Sequence, residues 1–365
     1  ERLSWWRSRF QSLVAAMRGK PFSLAYFHSR TMALKVKELL ALRGYDLVIV
    51  FGSAMAGYVD GEAGIPRVLD MVDVDSAKWA EYALNAPGPL RWLWRQEARV
   101  LAAYENHIAT IFDQTLLCTD AEAAILKEAV PQAPIDVLRH MVDTNYFDPD
   151  KVDLSEEIAA LRPYVVFAGS MDYAPNVEAV TWFYRHALPL MLRRIPRLKF
   201  VIVGRNPAKA VVELGKDPAV HVTGTVPDVR PYFLGAAATV APMQLARGVQ
   251  NKILESMAMG IPVASSAKAA VAFPAEVANL IVVEDDPQRL ADKLVELIEN
   301  GPVTPRNDIR RALESVFGDS RLKTRLEAFV QKAVHGARAS QTEEQAGKLE
   351  KGPVRMGVGP SLTIH

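Results

Sequence analysis

The run APMQLARGVQNKILESMAMGIPVAS, residues Ala241–Ser265, reads as one strand–loop–helix–strand unit. An apolar, β-rich stretch ends at Ala241 and gives way to a loop holding Gly248. A helical pattern over Gln250–Met259 follows, and a second strand pattern covers Pro262–Ser265. Gly260 suits the position just past a helix, where left-handed backbone is needed. A glycine ahead of a helix lets a phosphate approach the free N–H groups of the first turn. The helix dipole adds positive potential there. Lys252 supplies a point charge one turn in. Glu255, three residues on and on the same face, can accept hydrogen bonds from ribose hydroxyls. By themselves Lys252 and Glu255 also read as a solvated ion pair on a surface helix. The series Arg247, Gly248, Asn251, Lys252 and Glu255 favours the ligand.

The same alternation runs outward in both directions. Strand patterns fall at Asp46–Phe51, Arg67–Val72, Gln114–Cys118 and Ile135–Leu138. They recur at Tyr164–Ala168, Lys199–Val203, Ala219–Val222, Ala237–Ala241, Pro262–Ser265 and Leu280–Val283. These runs are continuously apolar, as in parallel strands covered by helices on both faces. Helical patterns include Arg2–Met17, Asn176–Ile195, Gln288–Asn300 and Arg321–Val334. Repeated βα units predict an α/β, doubly wound architecture. The polar, Pro-punctuated stretch 151–163 predicts a linker. It separates a domain over 1–150 from a second over 164–313. A helix over 314–335 then packs back, and the polar tail 336–365 is expected to be disordered. The second half holds six strand patterns and the first only four, so the first domain is expected to lack its opening βα units.

Composition narrows the function. The chain has 365 residues, 43 basic against 42 acidic, a formal charge of +1. That balance argues against a protein that grips nucleic acid by its phosphates. One cysteine, Cys118, cannot build a disulfide framework or a Cys-rich zinc site. It reads as a buried small hydrophobe. The seven histidines are scattered, so no metal site is expected. His28 and His107 read as structural or exposed. The charge-free run Leu47–Val59 falls short of the roughly 20 residues a spanning helix needs. No Walker A pattern, dinucleotide fingerprint or Gly-x-Ser-x-Gly elbow occurs, and no signal peptide is visible. A cytoplasmic location is expected, and a first residue of Glu suggests a fragment or processed chain. Two segments, Trp5–Phe10 and Arg91–Arg95, interleave tryptophan with arginine. They suit contact with an anionic membrane surface, or tryptophans packed inside with arginines reaching out.

The second half resembles the donor domain of a GT-B glycosyltransferase of the group 1 transferases, glycosyltransferase family 4. Within that family it more closely resembles the sugar transferases of PEP-CTERM exopolysaccharide systems. The matching residues are FAGSMDYAPNVEAVTWF (Phe167–Phe183), FVIVGRNP (Phe200–Pro207), VTGTVPDVRPYF (Val222–Phe233) and ARGVQNKILESMAMGIPV (Ala246–Val263). In the first half MVDVDSAKW (Met71–Trp79), Tyr104–Glu105 and VDTNYFDP (Val142–Pro149) also match. The resemblance spans about Lys20 to Val334.

It implies two Rossmann-like domains facing a cleft, and a role for each matched position. Gly169 and Ser170 lie near the donor phosphates. Arg205 contacts the diphosphate, and Thr225, Val226 and Pro227 hold the nucleobase by backbone groups. Gly248 and Val249 offer amides to the β-phosphate, Lys252 neutralises it, and Glu255 binds the ribose. Asp73 stands where relatives place an acidic or His residue toward the acceptor; Asp73, Asp75 and Ser76 equally suit an N-cap for the next helix. Glu105 reads as a surface helical residue. The chain departs from the pattern at Arg247, where relatives often carry a Glu, and at His140–Met141.

The implied activity is a retaining, hexosyl-type transfer from a nucleotide-diphosphate sugar to a glycan or lipid-linked acceptor in exopolysaccharide synthesis, with no cofactor or metal. Positioning and charge stabilisation by Arg205, Arg247, Lys252 and the helix tip would carry the chemistry. Two alternatives stand beside it: a truncated, non-catalytic nucleotide-binding homologue, and a sugar-nucleotide epimerase of the same fold.

Overall fold

Ten short, β-branched runs form the strands, close to where the apolar pattern puts them. The computed structural model describes residues 5–42, 44–59, 64–246, 248–318 and 323–334. Its strands are β1 (Val48–Phe51), β2 (Arg67–Val72), β3 (Gln114–Leu117), β4 (Ile135–Val137), β5 (Tyr164–Ala168), β6 (Lys199–Val203), β7 (Val220–Gly224), β8 (Ala238–Ala241), β9 (Val263–Ser265) and β10 (Ile281–Val283). They make two sheets, one ordered β1-β2-β3-β4 and one ordered β10-β9-β8-β5-β6-β7. Every recorded pairing is parallel, for example Tyr164 beside Lys199 and Thr239 beside Val263. The chain divides into two compact units. Among the described residues, one unit takes those within 5–116, 129–136 and 327–334, and the other those within 117–128 and 137–326.

In the first unit the long helix Gly88–Ile111 buries Glu97, Leu101, Glu105 and Ile108 along one stripe. Each buried carboxylate caps another helix. Glu97 accepts from the backbone N–H groups of Phe22 (2.8 Å) and Ser23 (2.9 Å), opening the helix Phe22–Phe27. Glu105 accepts from the N–H and hydroxyl of Ser76 in the first turn of the helix Asp75–Asn85. Phe22, Trp79 and Trp94 pack together, the two indoles with centroids 5.0 Å apart. Trp94 is thus half-buried in this cluster, whereas Trp6 and Trp92 are exposed.

In the second unit β5 lies at the centre of six strands, and all five of its residues are buried. Phe183 and Phe200 pack at 4.7 Å across one face of this sheet. Burying such a phenylalanine contributes roughly 2–3 kcal/mol. The helical pattern expected over Asn176–Ile195 forms as two helices, Ala174–His186 and Leu188–Arg194. The break sits at Ala187, where Pro189 in the first turn of the second helix removes a backbone donor.

The stretch expected to link the domains is ordered onto the second unit. It carries a short helix, Glu156–Ala159, capped by Ser155, and Ile158 is buried beside Tyr164 and Phe233. Just ahead of it, the Arg310 guanidinium donates to the carbonyls of Thr144, Phe147 and Ala258. Arg230 stacks 3.9 Å over the Tyr146 ring. A further helix covers 323–334, and its Lys332 pairs with Asp136 of the first unit at 2.8 Å. The tail 336–365, expected to be disordered, lies outside the described residues. No helix among the described residues is long and apolar enough to cross a membrane.

Candidate functional site

The strand order of the second sheet fixes where a ligand can sit. The chain runs from β5 outward to β6 and β7, then returns to the other side of β5 as β8, β9 and β10. Between β5 and β8 the winding reverses. In open parallel sheets, ligands bind beyond the carboxyl ends of the strands at such a reversal. The segment beyond β5 is Gly169–Ser170. The segment beyond β8 runs through Gly248 into the helix Asn251–Ala258.

Lys252 joins these two segments. Its ammonium is buried and donates to Asn176 Oδ1 (3.2 Å) and Gln250 Oε1 (3.3 Å). It lies 5.0 Å from the centroid of the Phe167 ring. Asn176 in turn donates from Nδ2 to the Ser170 carbonyl (2.9 Å). Gly169 leaves the room this needs, since a Cβ there would stand 2.7 Å from Asn176 Nδ2. Burial pulls the Lys252 ammonium down to about 8, against the opposing pull of the Glu255 carboxylate. Glu255 is half-buried, and burial holds its carboxyl above the usual range while Lys252 acts the other way. A buried cation whose partners are mostly neutral amides is electrostatically unsatisfied. An anion placed beside it would restore the charged form.

Arg205 reaches the same loop from β6. Its Nε donates to Ser170 Oγ (3.2 Å), whose hydroxyl donates to Asp172 (2.9 Å). Asn206, at φ +53°, also donates to Asp172 (3.1 Å). These donors hold the Asp172 carboxyl below its ordinary value. Gly204 allows the two loops to touch: a Cβ there would fall 1.7 Å from the Gly169 carbonyl oxygen.

Gly248 is left-handed at φ +64°, and the helix begins three residues later, at Asn251. Its N-cap, Gln250, makes no side-chain cap, so the first-turn amides carry no side-chain acceptor from that residue. Val249 buries its side chain in the core. Arg247 lies outside the described residues. Gly260 is left-handed at φ +69° beyond the helix, as its position predicts. Thr225 and Pro227 are exposed past the edge strand β7, while Val226 packs into the core with Phe233. No recorded contact among the described residues ties these three to Lys252.

The first unit carries a separate acidic group. β2 ends at Val72 with φ +70°, a strained value for a β-branched residue, and Asp73 follows. The helix beyond takes Val74, not Asp73, Asp75 or Ser76, as its N-cap residue, without a side-chain bond from Val74. Glu105 does the capping instead, which corrects both the N-cap reading and the surface reading of Glu105. Glu105 is fully buried, and burial lifts its carboxyl to about 7 despite the Ser76 hydrogen bonds. Burial likewise raises Asp75, which accepts from Ser53 Oγ at 3.5 Å. Cys118 is buried, and His28 and His107 are exposed.

Sequence reading assigns no role to Asn176, Asp172 or Gly204 and misplaces Glu105 on the surface. Two of them carried a signal. Asn176 is a poor helix former inside a helix, and Glu105 shares the i, i+4, i+7 stripe of Leu101 and Ile108.

Residues 162–300 match the profile of the family described as glycosyl transferases group 1. No curated protein sequence matches the chain. Among solved structures it is similar to sucrose-phosphate synthase from Thermosynechococcus elongatus, with a TM-score of 0.63 and 16% identity over 82% of this chain and 76% of that one. It is similar to TarM, with a TM-score of 0.62 and 13% identity over 84% of this chain and 59% of that one. It is also similar to HepE of Anabaena in complex with UDP and glucose, with a TM-score of 0.59 and 14% identity over 81% of each chain. The fold is the α/β fold of these GT-B neighbours, with two Rossmann-like units on parallel sheets.

Proposed function

We propose that this chain is a glycosyltransferase that binds a nucleotide-diphosphate sugar on its second unit and transfers the sugar with retention. One observation carries the reading. At the point where the sheet reverses, a buried and under-neutralised Lys252 is held by Asn176 beside the Gly169–Ser170 loop and the start of a helix. Such a place suits a pyrophosphate. Similarity to HepE, whose structures hold UDP with glucose and UDP-glucose, supports the choice of ligand.

Lys252, Arg205 and Arg247 neutralise the diphosphate, and Gly169, Ser170, Gly248 and Val249 offer it backbone and hydroxyl donors. Glu255 takes the ribose hydroxyls, and Thr225, Val226 and Pro227 the base. Charge neutralisation by three cations and the helix dipole makes a metal or cofactor unnecessary. The leaving diphosphate accepts the acceptor hydroxyl's proton as the glycosidic bond forms, so the protein's contribution is positioning and charge stabilisation. Asp73 orients the acceptor, a glycan or lipid-linked sugar, on the first unit. We place the reaction in exopolysaccharide assembly, as a hexosyl transfer of the PEP-CTERM-associated kind. It would run at the cytoplasmic face of the membrane, in peripheral contact with it.

The test is calorimetric titration with UDP and GDP. Glu255→Ala should weaken the preferred nucleotide by roughly 1.5–3 kcal/mol, a factor of about 10 to 150. Unchanged affinity would reject the ribose assignment. Incubating sugar nucleotides with and without acceptors then separates transfer from binding alone.

A further inference from the structure

The helix Trp5–Met17 is turned inside out. At 3.6 residues per turn, Ser8, Ser12 and Ala15 fall on one side, and Trp6, Phe10, Leu13 and Met17 fall about 160° away. The small side faces the protein: Ser8 is 2% exposed, Ala15 7%, and Ser12 donates to the Phe22 carbonyl at 2.9 Å. The large apolar side faces out, with Trp6 76% exposed, Phe10 68%, Leu13 59% and Met17 72%. A contiguous stripe of four large apolar side chains marks a contact surface. Charge flanks the stripe: by the same geometry the exposed Arg7 and Arg9 lie on its two sides, each about 70–90° from its centre. Residues 1–43 hold nine basic and two acidic residues, a net +7, in a chain that sums to +1.

We propose that this stripe is a docking surface for an anionic lipid leaflet, with the helix lying in the plane of the interface. The apolar side chains enter the acyl boundary while Arg7, Arg9 and Arg18 stay among the headgroups. Charge selects the lipid over a second copy of the chain, because two faces of this charge repel each other. Each basic residue at an anionic leaflet adds about fivefold in affinity. A neutral leaflet offers the stripe only its apolar contribution. This sharpens the peripheral contact proposed above, and it is independent of the nucleotide site.

The experiment is co-sedimentation of the full chain with vesicles of phosphatidylcholine, with and without phosphatidylglycerol, at low and high salt. The wild-type chain should bind the anionic vesicles and weaken with salt. The double variant Phe10→Glu/Leu13→Glu should lose at least about thirtyfold in vesicle affinity. Arg7→Glu/Arg9→Glu should lose binding as well, by a separate route. Val303→Glu, at a fully exposed valine of the second unit, should bind like wild type. The proposal is overturned if the wild-type chain ignores anionic vesicles, if neither double variant weakens binding, or if Val303→Glu weakens it equally. It is also overturned if the chain is dimeric without lipid and Phe10→Glu/Leu13→Glu makes it monomeric, which gives the stripe to a second copy. UDP titration of the same samples separates the two readings. Vesicle binding without UDP binding rejects the nucleotide site alone, and the reverse result rejects this surface alone.

Discussion

Nucleotide affinity should fall with rising pH, and Lys252 sets where. In the unliganded chain, burial holds its ammonium at about 8. A pyrophosphate beside it would favour the charged form and carry the value well above that. Binding then takes up a proton at any pH above about 8. The dissociation constant should be level below pH 8, double there, and rise about tenfold by pH 9, which is ~1.4 kcal/mol. The phosphates of UDP finish ionising well below this range, and arginine does not titrate in it. Calorimetry in buffers of differing ionisation enthalpy reads the uptake directly, about half a proton at pH 8 and nearly one at pH 9. Lys252→Met should bind weakly at every pH and show no uptake. A level wild-type profile between pH 7 and 9, below the ionisation of the uracil ring, or the same slope in Lys252→Met, would refute the reasoning. The unliganded chain carries the opposite trend. Its Lys252 value lies below that of the unfolded chain, so stability rises as pH goes from about 8 toward 10.5.

Other substitutions test the surroundings of the site. Asn176→Leu removes the best acceptor of a buried ammonium and should cost roughly 1.5–3 kcal/mol in urea unfolding. It should also move the proton-uptake midpoint below that of wild type. Gly204→Ala forces a methyl group against the Gly169 carbonyl and should destabilise by about 3 kcal/mol or more, read as a lower urea midpoint. Glu105 has a raised folded value of about 7 against an ordinary 4.5, so its contribution to stability falls as pH rises between them. Glu105→Gln should flatten that part of the stability–pH curve, and an unchanged slope would locate the titrating group elsewhere.

The strands were legible because both-face burial writes itself as an unbroken apolar run. All ten appear within a residue or two of the pattern, including the three-residue β9 and β10. The block from Gly248 to Glu255 was legible because a glycine, a cation and a carboxylate occupy set distances along one helix. Strand order was not, since no local pattern tells β8 to return beside β5. That order is what sets Gly169 near Lys252. Asn176 was quoted within a motif, yet its role emerges only when Lys252, 76 residues away, arrives beside it. Glu105 was misread through its charge. Its apolar stripe outweighs that charge because a helix terminus supplies the donors that make burial tolerable.

The near-contact of Gly204 with the Gly169 carbonyl makes the turns after β5 and β6 a single mechanical part. Neither can be lengthened, shifted or swapped for a homologous segment while the other stays put. Anyone re-engineering the proposed ligand site would have to transplant both turns together, along with Asn176, as one cassette.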